Sequence, residues 1–217
     1  MKSFFQFINE GKNIGPLYHF TSLGDAMSII ELERLYSTQG AWSLPNKGYY
    51  SPKKKYTGQI SFTRNKLLYQ DKPKGVSFGV RFVFDGNKLS NDFKIRPVKF
   101  STLWEESEDA VFTIGSWVKR KDLKRHQIFD IKKYIISIDL MPFDIYKESL
   151  SGYDIDRIEK LGISIDDSDL TEYSKPKRSL VNKIKLFLEE KGYPTRLVHE
   201  KFNKRVYQSD RKVIGSI

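Results

Sequence analysis

The sequence predicts an α+β fold, and three observations carry that expectation. Residues 76–84 alternate Val76, Phe78, Val80, Phe82 and Phe84 with Ser77, Gly79, Arg81 and Val83, the period-two pattern of a strand. Two distant stretches, 22–35 and 179–191, carry apolar residues at helical spacing. Other short extended runs lie between them. A chain of 217 residues, 39% hydrophobic and 14% aromatic, holds enough apolar material for a core, which excludes wholesale disorder.

Residues 17–20, LYHF, read as a first short strand. Ser22 follows as a helix N-cap, with Asp25 three residues on as its capping-box partner. The helix is expected to run to about Leu35, burying Leu23, Met27, Ile30 and Leu35 on one face. Residues 38–58 form a long polar loop holding Trp42, Tyr49, Tyr50 and Tyr56, a length that in compact domains often carries function. Residues 59–64, QISFTR, read as a strand, and Asp85-Gly86-Asn87 as a turn after the strand over 76–84. Residues 93–98, FKIRPV, are extended, with Pro97 marking an edge or an end. Residues 104–113 lead an acidic cluster into an apolar strand, and 131–139, IKKYIISID, are a further strand. The helix over 179–191 closes at Gly192 and Pro194. The domain expectation is a core over 1–150 and a helical C-terminal extension over 151–217, acidic and then basic, packed on the same domain.

Net charge is +11 with an isoelectric point near 9.5. The cations cluster at Lys53, Lys54 and Lys55, at Lys119, Arg120 and Lys121 (continuing to Lys124 and Arg125), and at Lys175, Lys177 and Arg178. Concentrated positive charge is the footprint of a polyanion partner, so the first two clusters are the candidate nucleic-acid-binding residues. No apolar run approaches the roughly 18 residues of a membrane span. The chain lacks cysteine, which excludes disulfides, thiol nucleophiles and cysteine-ligated zinc and makes the cytoplasm, of the cell or an infected host, the expected compartment. The three histidines, His19, His126 and His199, have no metal-ligand spacing, so no metal is expected. P-loop, GxGxxG, HExxH and GxSxG motifs are absent.

Three groups of residues carry candidate chemistry. His19 and Thr21, two apart on a strand, project from one face just ahead of a capped helix whose N-terminal N–H groups favour an anion. Against this stands a histidine satisfied by a backbone carbonyl. In Ser61-Phe62-Thr63-Arg64, the guanidinium is either a surface cation or a fork for a pyrophosphate or carboxylate. In Glu105-Glu106-Ser107-Glu108-Asp109, ahead of Ala110-Val111-Phe112, one carboxylate in a cleft could stabilise positive charge on a sugar while a neighbour orients a nucleophile. The bland alternative is a solvated acidic loop.

Tyr18-His19-Phe20-Thr21-Ser22, followed by a helix with Ala26, Ile29 and Ile30, resembles the opening motif of ADP-ribosyltransferases, and within them DarT-type toxins that modify nucleic acid and related small phage-encoded proteins. The resemblance spans residues 16–140. It implies a split antiparallel β-sheet core with flanking helices, NAD as co-substrate, and transfer of ADP-ribose to a base of DNA or RNA. His19 and Thr21 match the H-x-T pair that holds the nicotinamide-side ribose. Arg64 matches the NAD-contacting arginine beside Ser61. Glu108 matches the catalytic glutamate, with Glu105, Glu106 and Asp109 as rivals. Tyr36, Tyr69 and Trp104 are candidates to stack on nicotinamide, core packing being the alternative for each. Two other readings stand beside it: a non-catalytic basic nucleic-acid-binding protein, and a transferase acting on a protein. The C-terminal extension is a candidate surface for a protein partner.

Overall fold

The computed structural model describes residues 14–36, 59–63, 78–98, 108–112 and 127–199. Strand β1 (Pro16–Thr21) belongs to the larger sheet among the described residues, burying Leu17 and Thr21. The expected capping pair then starts helix α1 (Leu23–Leu32): the Asp25 N–H donates to Ser22 Oγ at 3.2 Å. The helix ends earlier than expected. Glu33 adopts a left-handed conformation (φ 48°), its N–H turned back to the carbonyls of Ile29 and Ile30, and residues 34–36 leave as strand β2 (Arg34–Tyr36). Leu35 is buried as expected, but from a strand. An apolar residue one turn on satisfies a helical pattern without requiring a helix.

Strand β3 (Gln59–Thr63) follows the expected run, whereas β4 (Val80–Asp85) is shorter than the strand expected over 76–84. Phe78 and Gly79 precede it outside the strand, and Val76 and Ser77 lie outside the described residues. At the end of β4, the expected turn is instead the first turn of helix α2 (Gly86–Asp92). Asp85 caps it, accepting from the N–H groups of Asn87 at 3.0 Å and Lys88 at 3.1 Å. Asx side chains that favour turns favour N-caps for the same reason. Strands β5 (Lys94–Val98) and β6 (Glu108–Phe112) come next, then β7 (Gln127–Phe129). The strand expected over 131–139 is shorter. Asp130 takes a left-handed conformation, Ile131–Lys133 form a 3₁₀ turn, and only Ile135–Leu140 extend as β8. Lys132 and Lys133 are exposed on that turn.

Beyond β8 lie α3 (Pro142–Ile145), α4 (Gly152–Lys160), α5 (Arg178–Glu190) and strand β9 (Thr195–Leu197). Gly192, at φ 78°, turns the chain out of α5 as expected. The C-terminal segment is not purely helical, because β9 joins the sheet parallel to β8.

The fold is α+β, with a mixed sheet of order β5-β6-β3-β1-β4-β8-β9 and a two-stranded β2-β7 pair. All named pairings except β8–β9 are antiparallel. One face of the large sheet (Leu17, Ile60, Phe62, Phe82, Phe84 and Ile138 among it) merges with α1, α4 and α5 into a single apolar cluster. The opposite face carries polar residues in its central strands, although β4 is buried on both sides. Among the described residues no helix is long and apolar enough to cross a membrane.

Candidate functional site

Three motifs separated by more than forty residues each are brought onto neighbouring strands: β1 with His19, β3 with Ser61, and β6 with Glu108. Their register is informative. Tyr18 pairs with Thr63, and Thr63 with Glu108, so these three form one row. Phe62 pairs with Asp109 in the next row, and the Phe62 ring lies 5.7 Å from that of His19, tilted by 55°. Side chains alternate between faces along a strand. The backbone therefore sets Asp109 in line with His19, on the face that merges with the helices, and Glu108 in the row of Tyr18, on the other face. Ser61 lies opposite Ala110.

His19 is half-buried, and Thr21 is 7% exposed. The space beside them differs from the expectation. The N-terminus of α1 does not wait for an external anion, because Glu148, itself buried, supplies one. Its carboxylate accepts from the Leu23 N–H at 2.7 Å and the Gly79 N–H at 2.8 Å. A carboxylate at this position satisfies orphan donors and meets the positive end of the helix dipole. Gly79 permits the approach, since a Cβ there would lie 2.6 Å from the same Glu148 oxygen. A lone acidic residue on a loop 125 positions from its target gives no signal in the sequence.

Arg64, Tyr69, Trp104, Glu105, Glu106, the aromatics of the 38–58 loop, and the clusters Lys53, Lys54, Lys55 and Lys119, Arg120, Lys121 lie outside the described residues. Tyr36 ends β2, opposite Gln127 of β7. Among the described residues no group of three histidines and carboxylates could hold a metal ion.

On the polar face, the sheet builds a charged array that the sequence did not announce. Phe20, Arg81, Asp139 and Arg196 form one row across β1, β4, β8 and β9. Asp139 is fully buried and Arg81 is 3% exposed. Arg81 forks onto Asp139 Oδ2 through Nε at 2.9 Å and Nη2 at 2.7 Å, and its guanidinium lies 5.6 Å from the ring centroid of Tyr18. Arg196 reaches the same carboxylate from the edge, Nε at 2.8 Å from Oδ1 and Nη2 at 3.1 Å from Oδ2, while Nη2 also donates to Ser137 Oγ at 3.0 Å. The Ser137 hydroxyl in turn donates to Asp139 Oδ1 at 3.1 Å. One carboxylate thus takes two guanidiniums and a hydroxyl, the full satisfaction a buried charge requires. The alternation that placed Arg81 opposite Phe82 was legible. Its burial was not, because it depends on an aspartate 58 residues away.

A groove of about 530 Å³ runs beside this array, lined by Ile136, Ser137, Gly192, Pro194, Thr195 and Arg196. Tyr193 also lines it, and burial pushes its phenol up to about 12, with Glu33 adding to the effect. Two further charged contacts are structural. Burial and the neighbouring Asp92 push the Tyr134 phenol up to about 12. Burial opposes ionisation of Asp169, but hydrogen bonds from Lys183, the Asp166 N–H and Ser179 together outweigh it and hold the carboxyl below its usual range.

No family model, no curated protein and no solved structure matches the chain.

Proposed function

We propose that this protein is an NAD-dependent ADP-ribosyltransferase that moves ADP-ribose from NAD onto a base of DNA or RNA and releases nicotinamide. The observation that carries the reading is the adjacency of β6, β3 and β1, which sets the strand of Glu108 and Asp109, the Ser61 strand and the His19 strand side by side. With a spacing of roughly 4.8 Å between strands, β1 and β6, which flank β3, are about 10 Å apart, a span that suits one nucleoside laid across β3.

In this reaction the bond from ribose C1′ to the nicotinamide nitrogen breaks, and nicotinamide leaves with the electron pair. An oxocarbenium-like centre develops at C1′. A base nitrogen then bonds to C1′ and gives up a proton. His19 fixes the ribose, and Thr21, buried at the strand end, sets the position of His19 and of the turn into α1. With the α1 N-terminus already met by Glu148, the diphosphate falls to Arg64. The carboxylate that stabilises the cation and draws the proton comes from β6. Glu108 is the candidate by its spacing ahead of Ala110-Val111-Phe112, but its row is that of Tyr18, on the face opposite His19; Asp109 is the candidate that shares the row of His19. The basic clusters at 53–55 and 119–121 hold the acceptor.

The test is a pair of variants, Glu108→Ala and Asp109→Ala, each incubated with labelled NAD and nucleic acid. Loss of a preorganised charge stabiliser typically lowers kcat by about 100- to 1000-fold, so one variant should fall by that much while the other stays within a few-fold. Transfer at wild-type rate by both variants would overturn the assignment of β6. A wild-type protein that binds nucleic acid but neither consumes NAD nor releases nicotinamide would instead be a non-catalytic binder.

A further inference from the structure

We infer that the β9 edge of the sheet is a phosphate-contact site for the acceptor strand, with Arg196 as its ligand-facing group. The inference rests on the reading that the acceptor is nucleic acid.

Arg196 combines two properties that surface arginines seldom share. Its side chain is 60% exposed, yet two of its three guanidinium nitrogens are fixed by buried partners, Asp139 and Ser137. An arginine normally loses much rotamer freedom when it grips an anion. Here that freedom is already given up in the free protein, through a carboxylate itself clamped by Arg81. The fork is held at a set angle, with Nη1 making no hydrogen bond among the described residues. Substituting for a simple surface cation would not require such bracing.

The surroundings fit a phosphodiester. The groove beside Arg196 is open rather than enclosed, as a continuing strand needs. Its wall carries Ile136, 48% exposed, against which the flat face of a sugar or base can lie. The groove's carboxylate, Glu189, is occupied by Lys185 at 2.6 Å. Lys132 is exposed beside Gly192, its ammonium donating to the Lys191 carbonyl at 2.6 Å, and adds positive charge at the far end. Distance separates the two phosphate sources that the reaction offers. Strand β9 is three strands from β1, about 14 Å at the usual spacing of roughly 4.8 Å, and the row of Arg196 lies on the sheet face opposite His19. The diphosphate of NAD begins one ribose away from the site at His19, which is too short a reach, whereas a bound strand extends well past the modified base.

The experiment measures affinity of the full chain for a fluorescent single-stranded DNA and its RNA counterpart across a salt series, without NAD. Arg196→Ala should weaken binding about five- to tenfold at low salt and flatten the slope of log affinity against log salt by about 0.7, the value for one phosphate of a single strand. Arg196→Lys should keep most of the slope but lose affinity, because the fork is gone. Retained circular dichroism and thermal midpoint would show that Arg196→Ala folds; if it does not, the lysine variant and Ser137→Ala carry the test. Unchanged affinity and slope would overturn the site, as would a wild-type chain that binds neither oligonucleotide. A selective loss of NAD affinity, with oligonucleotide binding intact, would also overturn it, by assigning Arg196 to the dinucleotide. Because NAD turnover plays no part in the binding assay, failure of the transferase reading leaves a positive result standing.

Discussion

Asp139 is the residue on which the polar half of the sheet depends, and its removal is the sharpest perturbation of the fold. It has no solvent exposure, and it accepts two bonds from Arg81, two from Arg196 and one from Ser137. Asp139→Ala would leave the Arg81 guanidinium, itself 3% exposed, without the carboxylate that balances it. Breaking a buried pair from one side costs about 3–5 kcal/mol, because the surviving charge stays desolvated. At about 2–4 °C per kcal/mol for a chain of this size, the melting midpoint should fall by roughly 6–20 °C. Arg196→Ala makes the contrast. Arg81 still balances the Asp139 charge after that change, so the loss is that of hydrogen bonds to a charged group and should cost less, about 1–3 kcal/mol. Removing both buried partners together, as Arg81→Met with Asp139→Leu, takes away the stranded charge and should recover most of the loss. The assay is equilibrium urea unfolding followed by circular dichroism, with slopes compared to confirm that midpoints report stability. If Asp139→Ala came within about 1 kcal/mol of wild type, Arg81 would have to find solvent or another anion, and the reasoning about this array would be refuted.

Other expectations follow from the same contacts. Glu148→Ala strips the acceptor from the N–H groups of Leu23 and Gly79 and should cost about 2–4 kcal/mol in the same unfolding assay, with Glu148→Gln recovering part of it. Ser22→Ala removes the α1 cap and should cost about 1 kcal/mol, with helicity lost locally in hydrogen exchange. The Ser168 hydroxyl and then Lys183 hold the Asp166 carboxyl below its usual range, and Lys183 is the strongest of the donors that, against burial, do the same for Asp169. A carboxyl whose folded value is depressed adds stability above its unfolded value, near 4, and loses it as pH falls through the folded value. Acid should therefore destabilise the wild type progressively below about pH 4, and Lys183→Met should show a lower plateau at neutral pH with a shallower acid decline in a melting-midpoint series.

Much of the fold was legible wherever local chemistry and burial agree. The Ser22 cap, the strand over 59–63, the alternation through Phe82 and Phe84 and the helix closed by Gly192 all appear near their expected places. The departures arise where two structures satisfy one pattern. Leu35 is buried in β2 as well as it would be in a helix, and Asp85 caps a helix with the same carboxylate that would close a turn. Strand β9 is three residues long and borrows its existence from β8, so nothing within Thr195–Leu197 marks it. For the candidate site, sequence order placed the motifs, and strand adjacency could not be read from order alone. The rows that set Asp109 with His19 and Glu108 with Tyr18 exist only in the paired sheet. Arg81, Asp139 and Arg196 are 58 and 57 positions apart in successive steps, beyond the reach of any local rule.

The central claim is the use of NAD. It is tested most directly by incubating the full chain with NAD labelled in the adenylate portion, in the presence of DNA, RNA or cell protein in separate reactions, and measuring label on each pool together with nicotinamide released. The account predicts nicotinamide release in step with label on one nucleic acid, lost when the responsible β6 carboxylate is replaced. Label on the protein pool alone would contradict the nucleic-acid acceptor, and no release with any pool would contradict the transferase itself.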